Sequence, residues 1–184
     1  NDGNDTTSGV KSSLFQEYQQ YRTFTHGDPK QANFFFRSSK QDNLEVGLID
    51  FQWSGFGLAA TDIAHFLLSS VHADHLVEGG ESRYQQYYYE QLQSYLVEYG
   101  AYESNEVALQ QFSYDTFIEQ YDIAVLDLTR LIVAYTWNRF TESVQKKDAE
   151  AKARTMNKTS YYKSVENAVY LMSRCHEILN ARGV

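Results

Sequence analysis

The hydrophobic pattern of this chain changes its period near residue 60. Before that point, β-branched and aromatic residues favour an extended segment at 23–25 and two strands at 33–37 and 44–51, joined by a polar turn. After it, apolar residues recur every three or four positions, which is the spacing of helices that bury one face. The sequence therefore predicts an α+β fold that is mostly α, with a small β-hairpin followed by a bundle of helices.

The predicted helices differ in how they bury apolar surface. The helix that begins at Ala60 is apolar on most sides, which is typical of a helix inside a domain. A second helix covers 81–99 and stops at Gly100, and Ser104 is a candidate cap for the next segment. A long helix follows over 118–140, with Asp122 interrupting its apolar face. The last helix is predicted to bury Val165, Val169, Met172, Cys175 and Leu179.

Composition limits the partners and the compartment. The chain has 16 basic and 24 acidic side chains and a net charge of −8, with no basic stripe, so nucleic acid is excluded as a partner. No stretch has the length of a membrane span, so no membrane partner is expected either. The single cysteine, Cys175, cannot form an internal disulfide. These features predict a cytoplasmic protein.

Two acids and an amide lie where the predicted strands meet. Asp28 and Asn33 share one loop, and Asp50 closes the second strand. Phosphoryl transfer needs hard oxygen ligands for Mg²⁺ and a group that orients and deprotonates the attacking hydroxyl. Asn33 and Asp50 are candidate metal ligands, and Asp28 is a candidate base. Either motif alone would fit a turn in which these side chains bond their own backbone.

The order of the motifs is more specific than any one of them. They are His26-Gly27-Asp28 with Asn33, then Ile49-Asp50-Phe51-Gln52, then Thr61-Asp62-Ile63-Ala64. This series resembles the C-terminal lobe of the aminoglycoside phosphotransferase and choline-kinase-like enzymes, including the ecdysteroid-kinase-like ones, within the protein-kinase-like superfamily. The motifs occupy 26–68, and the helical remainder resembles that lobe only in its broad pattern.

The resemblance implies a role for each motif residue. Asp28 would be the catalytic base, and His26 would brace the loop that carries it. Asn33 and Asp50 would hold Mg²⁺. Asp62 would be a structural brace, accepting hydrogen bonds from the catalytic-loop backbone, because an unpaired carboxylate inside a helix would be costly.

The resemblance also implies how ATP would bind. Phe35 would form the floor under adenine, and Ile49 would be a second cofactor-binding residue. Lys30 is similar to the protein-kinase lysine that touches the transferred phosphate, and its alternative is a solvent-facing loop lysine. Gly27, in place of the protein-kinase arginine, and Gln52, in place of the glycine of Asp-Phe-Gly, indicate the small-molecule branch.

Residues 1–12 are polar except for Val10, and this composition predicts a disordered tail or linker. The resemblance makes 13–184 a kinase-like C-terminal lobe. Within the lobe, the catalytic and metal loops occupy 24–56 and the helical subdomain occupies 60–180. The N-terminal lobe, which brings the glycine-rich loop and the phosphate-binding lysine, would not fit in residues 1–25. We therefore expect that lobe to be missing and this fragment to be inactive by itself.

The predicted function is Mg-dependent transfer of the ATP γ-phosphate to a hydroxyl of a small molecule, with the acidic charge weakly favouring a cationic one. The alternative is a catalytically inactive kinase-like remnant that acts as a binding or scaffold module. The joint presence of Asp28, Asn33 and Asp50 favours the enzyme, and the missing lobe favours the remnant. The other histidines, His65, His72, His75 and His176, form no convincing ligand set and receive no role.

Overall fold

The computed structural model describes residues 18–38, 44–136 and 164–183. The predicted tail at 1–12 lies outside these ranges. The strands are Arg22–Thr25 (β1), Phe34–Ser38 (β2), Leu44–Leu48 (β3) and Gly55–Leu58 (β4). The helices are Ala59–Ser70 (α1), Gly80–Glu98 (α2), Asn105–Gln111 (α3), Tyr114–Leu131 (α4) and Val165–Ala181 (α5). The predicted α+β, mostly helical class is confirmed, and no helix of the described ranges is long and apolar enough to cross a membrane.

The β-hairpin is present where the sequence predicts it. Strands β2 and β3 pair antiparallel, with Phe34 opposite Leu48. The second strand is shorter than predicted, because Asp50 has a φ of 65° and the chain then forms a short 3₁₀ turn at Phe51–Trp53. A positive φ takes the backbone out of the β region, so pairing cannot continue through Asp50.

A second small sheet was not predicted. Strand β1, which falls in the segment expected to be extended, pairs antiparallel with β4 in a register that places Thr25 opposite Gly55. Gly55 and Gly57 lower the strand propensity of β4, so the sequence gives little sign of it. Gly57 packs closely on β1, because an added Cβ would lie 3.2 Å from Thr25 Oγ1 and the Thr25 side chain would have to shift to make room for it. The two sheets carry the loops on either side of the candidate site.

Helix α1 is buried in the middle of the described structure, as predicted. Its small side chains Ala60 and Ala64 are almost inaccessible to solvent, and it packs along α4. From α4, Phe117 and Tyr121 fill the core and are fully buried. Burial of an aromatic side chain of this size stabilises the fold by about 1.5–3 kcal/mol. Packing against α4 fixes the position of α1 and of the polar residues that α1 carries.

The predicted helix ends agree with the observed caps. Helix α2 ends at Glu98, and Gly100 follows with a φ of 76°, a conformation that glycine adopts without strain. Ser104 caps α3 by accepting the backbone N–H of Val107. Helix α4 begins at Tyr114, earlier than predicted, because Ser113 accepts the N–H of Thr116. It continues as a π turn at Ile132–Thr136, and its predicted end at 140 lies outside the described residues.

The buried face predicted for the last helix is wrong at its centre; Leu179 is half-buried, and the side chain of Val165 lies outside the described ones. Val169 and Met172 are 59% and 40% exposed, and Cys175 is only partly covered. The side chains that α5 buries are instead Ala168, Leu171, Ile178 and the polar Asn167. Arg174 is the physical reason, because it points toward buried Glu81 and so directs the helix by an ion pair rather than by its apolar residues.

This ion pair is the centre of a polar cluster between α2, α4 and α5. Glu81 Oε2 lies 2.6 Å from Arg174 Nε, and the carboxylate also accepts the hydroxyl groups of Tyr121 and Tyr170 at 2.7 and 3.0 Å. Asp122 Oδ1 lies 3.7 Å from the same guanidinium, which explains the acid that interrupts the apolar face of α4. Burial raises the pKa of the Asp122 carboxyl, and the charge of Arg174 opposes that shift.

Arg174→Met tests whether this cluster holds the helices together. The substitution removes the cation and leaves the Glu81 carboxylate buried, so we expect the free energy of unfolding to fall by about 3–5 kcal/mol. Urea unfolding followed by circular dichroism measures the change. Arg130→Met is the matched control, because Arg130 forms an exposed pair with Asp127 and should contribute less than about 1 kcal/mol. Equal losses in the two variants would contradict the assignment.

Candidate active site

The loop at 26–33 joins β1 to β2 and is held by its own backbone. Lys30 N–H donates to the Asp28 carbonyl at 2.9 Å, and Asn33 N–H donates to the Lys30 carbonyl at 2.8 Å. The side chain of Asn33 is buried, and its Nδ2 donates to the Asp28 carbonyl at 2.8 Å. Nδ2 also lies 3.4 Å from Asp28 Oδ2. The sequence separates Asp28 and Asn33, but the folded loop places them in direct contact.

His26 connects this loop to the end of β3. Its Nδ1 accepts the Asp28 N–H at 3.3 Å, and its Nε2 lies 2.9 Å from the carbonyl oxygen of Ile49. Because one partner is a donor and the other an acceptor, the imidazole carries its proton on Nε2. The Ile49 N–H in turn donates to the Asn33 carbonyl at 3.1 Å. These bonds tie the loop to the residue that directly precedes Asp50.

Asp62 holds the same loop from α1. Its carboxylate accepts the backbone N–H groups of His26 at 2.6 Å and Gly27 at 3.0 Å. Gly27 has a φ of 83°, and a Cβ added there would lie 2.2 Å from the carbonyl oxygen of Trp53. The loop can pass this close to the Trp53 backbone only with glycine at position 27.

Asn33 and Asp50 offer oxygen atoms that suit a hard cation. The donor atom Nδ2 of Asn33 is engaged by Asp28, whereas no described residue donates a hydrogen bond to Asn33 Oδ1 or to the Asp50 carboxylate. The left-handed conformation of Asp50 is costly for a residue other than glycine, and such conformations concentrate at functional sites. Within the described ranges, no group of three or more His, Cys, Asp or Glu could hold a metal ion. A Mg²⁺ ion here would therefore need further oxygen ligands from a bound phosphate.

Lys30 pairs with the candidate base. Its ammonium forms an ion pair with Asp28 Oδ2, and its side chain is 39% exposed. Lys30 is therefore paired rather than isolated in solvent, and its contact with the transferred phosphate stays a prediction.

Phe35 and Ile49 share an exposed face of the hairpin. Phe35 lies opposite Gly47, and the bond between Ile49 N–H and the Asn33 carbonyl continues the same register, so side-chain alternation places both residues on one face. Phe35, Ile49 and Phe51 are 60%, 47% and 50% exposed. Gly47 adds no side chain beside Phe35, which leaves a flat apolar surface next to Asn33.

The structure adds His65, which the sequence analysis left without a role. His65 lies one helical turn after Asp62 on α1, and its Nε2 is 3.8 Å from Asp28 Oδ1. Burial lowers the pKa of His65, and the carboxylates of Asp28 and Asp62 oppose that shift. The spacing of three residues from Asp62 was the available signal, because it places both side chains on one face of the helix. The other three are elsewhere: His72 lies 3.3 Å from Asp74, and His75 and His176 are exposed.

The structure places the loop against its carboxylate brace, with Asp50 next to the residue that is bonded to the loop. A family model, the ecdysteroid kinase-like family, matches residues 4–101, which is more than half of the 184 residues. The chain belongs to the ecdysteroid kinase-like family, and the resemblance found in its motifs is thereby confirmed. Membership indicates a kinase-like phosphotransferase. Searches of curated proteins and of solved structures found no match.

Asp62→Ala tests the contact between α1 and the loop. Loss of the carboxylate leaves the N–H groups of His26 and Gly27 without their acceptor, so we expect a loss of about 1–3 kcal/mol in the free energy of unfolding. The melting temperature measures it. Asp127→Ala is the control, because that exposed helical acid contacts only Arg130 among the described residues. A melting temperature equal to that of the unchanged chain would show that Asp62 is no brace.

Proposed function

We propose that this chain is the catalytic lobe of a kinase that transfers the ATP γ-phosphate to a hydroxyl of a small molecule. One observation carries the proposal: the loop that bears Asp28 and Asn33 is hydrogen-bonded to Ile49, next to Asp50. The segment with the candidate base and one candidate metal ligand is thereby hydrogen-bonded to the segment with the second candidate ligand. Family membership supports the same type of reaction.

The metal proposal rests on the side-chain oxygen atoms of Asn33 and Asp50, to which no residue of the described ranges donates a hydrogen bond. Asn33 Oδ1 and the Asp50 carboxylate would hold Mg²⁺. The Asn33 side chain is held by its Nδ2 bond to the Asp28 carbonyl, and Asp50 directly follows Ile49, whose N–H is bonded to the Asn33 carbonyl. When bound, Mg²⁺ offsets the negative charge of the transferred phosphate. The protein contributes the fixed position of the ligands, which lowers the cost of ordering them when ATP binds.

Asp28 is the residue proposed to act on the acceptor. In the transfer, the acceptor O–H bond breaks and its proton goes to the Asp28 carboxylate, while the acceptor oxygen forms a bond to the γ-phosphorus. The bond from the γ-phosphorus to the bridging oxygen breaks, and ADP leaves with that electron pair. The ammonium group of Lys30 forms an ion pair with Asp28 in this structure. When ATP binds, the negative charge of its γ-phosphate would attract this ammonium group.

We propose that the exposed apolar face of the hairpin is a contact surface for a second lobe. Phe35 and Ile49 would form one wall of the adenine site, and an apolar surface of this kind is costly to leave in water. We propose that an N-terminal lobe covers it and supplies the remaining phosphate contacts. The acidic net charge favours a cationic acceptor, and the single cysteine fits the reducing cytoplasm.

Asp28→Asn and Asp50→Asn in the full-length protein that carries this chain test the proposal. The assay is release or transfer of phosphate from Mg-ATP, with water and a panel of small alcohols as acceptors. Asp28→Asn should lower kcat by roughly a hundredfold or more and leave Mg-ATP affinity nearly unchanged, because it removes the base but no metal ligand. Asp50→Asn should abolish transfer and weaken Mg-ATP binding, because a neutral amide cannot replace a carboxylate on Mg²⁺.

Asp74→Asn is the control for both variants, because Asp74 is an exposed acid after α1 and should behave like the unchanged protein. Full turnover in the Asp50 variant would disprove the metal assignment. Binding of Mg-ATP without transfer to any acceptor would favour the inactive remnant that acts as a binding module.

A further inference from the structure

The two oxygen atoms of Asp28 have different surroundings. Oδ2 contacts the ammonium of Lys30 and lies 3.4 Å from Asn33 Nδ2. Oδ1 faces His65 Nε2 at 3.8 Å, and among the described residues it has no hydrogen bond and no second ion pair. An acceptor hydroxyl can therefore donate to Oδ1 without displacing Lys30 or Asn33, which are the neighbours of Oδ2.

The distance from Asp28 Oδ1 to His65 Nε2 is itself informative. A direct hydrogen bond between nitrogen and oxygen spans about 2.7–3.2 Å, so 3.8 Å is too long for one. An oxygen atom that lies to one side, about 2.8 Å from each of the two, satisfies both groups. The Asp28 and His65 side chains are 13% and 19% exposed, so both are mostly buried but still reachable from solvent.

We propose that His65 binds the acceptor, with the reacting hydroxyl lying between Asp28 Oδ1 and His65 Nε2. The hydroxyl donates its hydrogen to Asp28 and accepts a hydrogen bond from the N–H of His65. This inference rests on the proposed function, because it names the acceptor site of that reaction. It also restricts the reacting group, since a hydroxyl can donate and accept at once, whereas an ammonium group can only donate.

The surroundings of His65 suit a neutral imidazole with its proton on Nε2. A carboxylate can only accept hydrogen bonds, so Asp28 favours the form of His65 that presents an N–H to it. Burial lowers the pKa of His65, the carboxylates of Asp28 and Asp62 raise it, and the charges of Lys30 and His26 lower it. His65 stays neutral during transfer, because the acceptor proton goes to Asp28.

Histidine NMR on the 184-residue chain tests the contact without any substrate. With ¹⁵N-labelled histidine, we expect His65 as the neutral Nε2–H form at pH 7. Asp28→Asn should lower its pKa further, because a carboxylate that favours the imidazolium is lost, and Lys30→Met should raise it. His176, exposed on α5, is the internal control, and its signals should be the same in all three chains. A His65 titration that Asp28→Asn leaves unchanged would overturn the inference.

His65→Phe and His65→Gln test the role in transfer. Phenylalanine keeps the ring and its volume, whereas glutamine keeps an N–H donor. With water as the acceptor probe, His65→Phe should lower the rate of phosphate release from Mg-ATP by about tenfold, the scale of one lost hydrogen bond. His65→Gln should retain more of that rate, and both variants should bind Mg-ATP as the unchanged protein does.

A purely structural role would give the reverse order, with His65→Phe retained and His65→Gln impaired, and would overturn the inference. Asp28→Asn measured in parallel separates the two proposals. If Asp28→Asn loses activity and His65→Phe does not, the inference about His65 is wrong and the proposed function stands. If Asp28→Asn keeps full activity, the proposed function fails and the acceptor site fails with it.

Discussion

The carboxylate of Asp62 is the contact on which the candidate site depends. It binds two consecutive backbone N–H groups, of His26 and Gly27, at the point where the loop turns through a positive φ. A loop with few apolar contacts has little else to offset the conformational entropy of ordering it. Because Asp62 belongs to the buried helix α1, the loop is bonded to a helix of the hydrophobic core.

Two separate kinds of interaction then position α1. On one side, Phe117 and Tyr121 of α4 pack in the core with it. On the other, the buried pair of Glu81 and Arg174 joins α2 to α5, and both of these helices contact α1. The charged pair adds specificity rather than much net stability, since burying two charges costs about as much as their attraction returns. The residues that position α1 are therefore different from the residues of the candidate site.

The sequence was sufficient for the hairpin, for α1 and for the candidate loop, because each carries a local signal: alternation, helical period and a dense run of polar motif residues. It was insufficient for β4, where glycines mask the strand, and for α5, where Arg174 and not the apolar residues determines the buried face. It also missed His65, because a lone histidine on a helix has meaning only once Asp28 is known to lie beside it. The pairing of β4, the buried face of α5 and the position of His65 each depend on contacts between residues that are far apart in the sequence, which local patterns do not report.

The central claim is that Asn33 and Asp50 converge on one metal ion. The most direct measurement replaces Mg²⁺ by paramagnetic Mn²⁺ with ATP and follows the backbone amide signals of the ¹⁵N-labelled chain. The account predicts selective broadening at Asn33, Ile49 and Asp50, with the effect lost in Asp50→Asn. Broadening that persists in that variant, or that centres on an exposed acid such as Asp74, would contradict it.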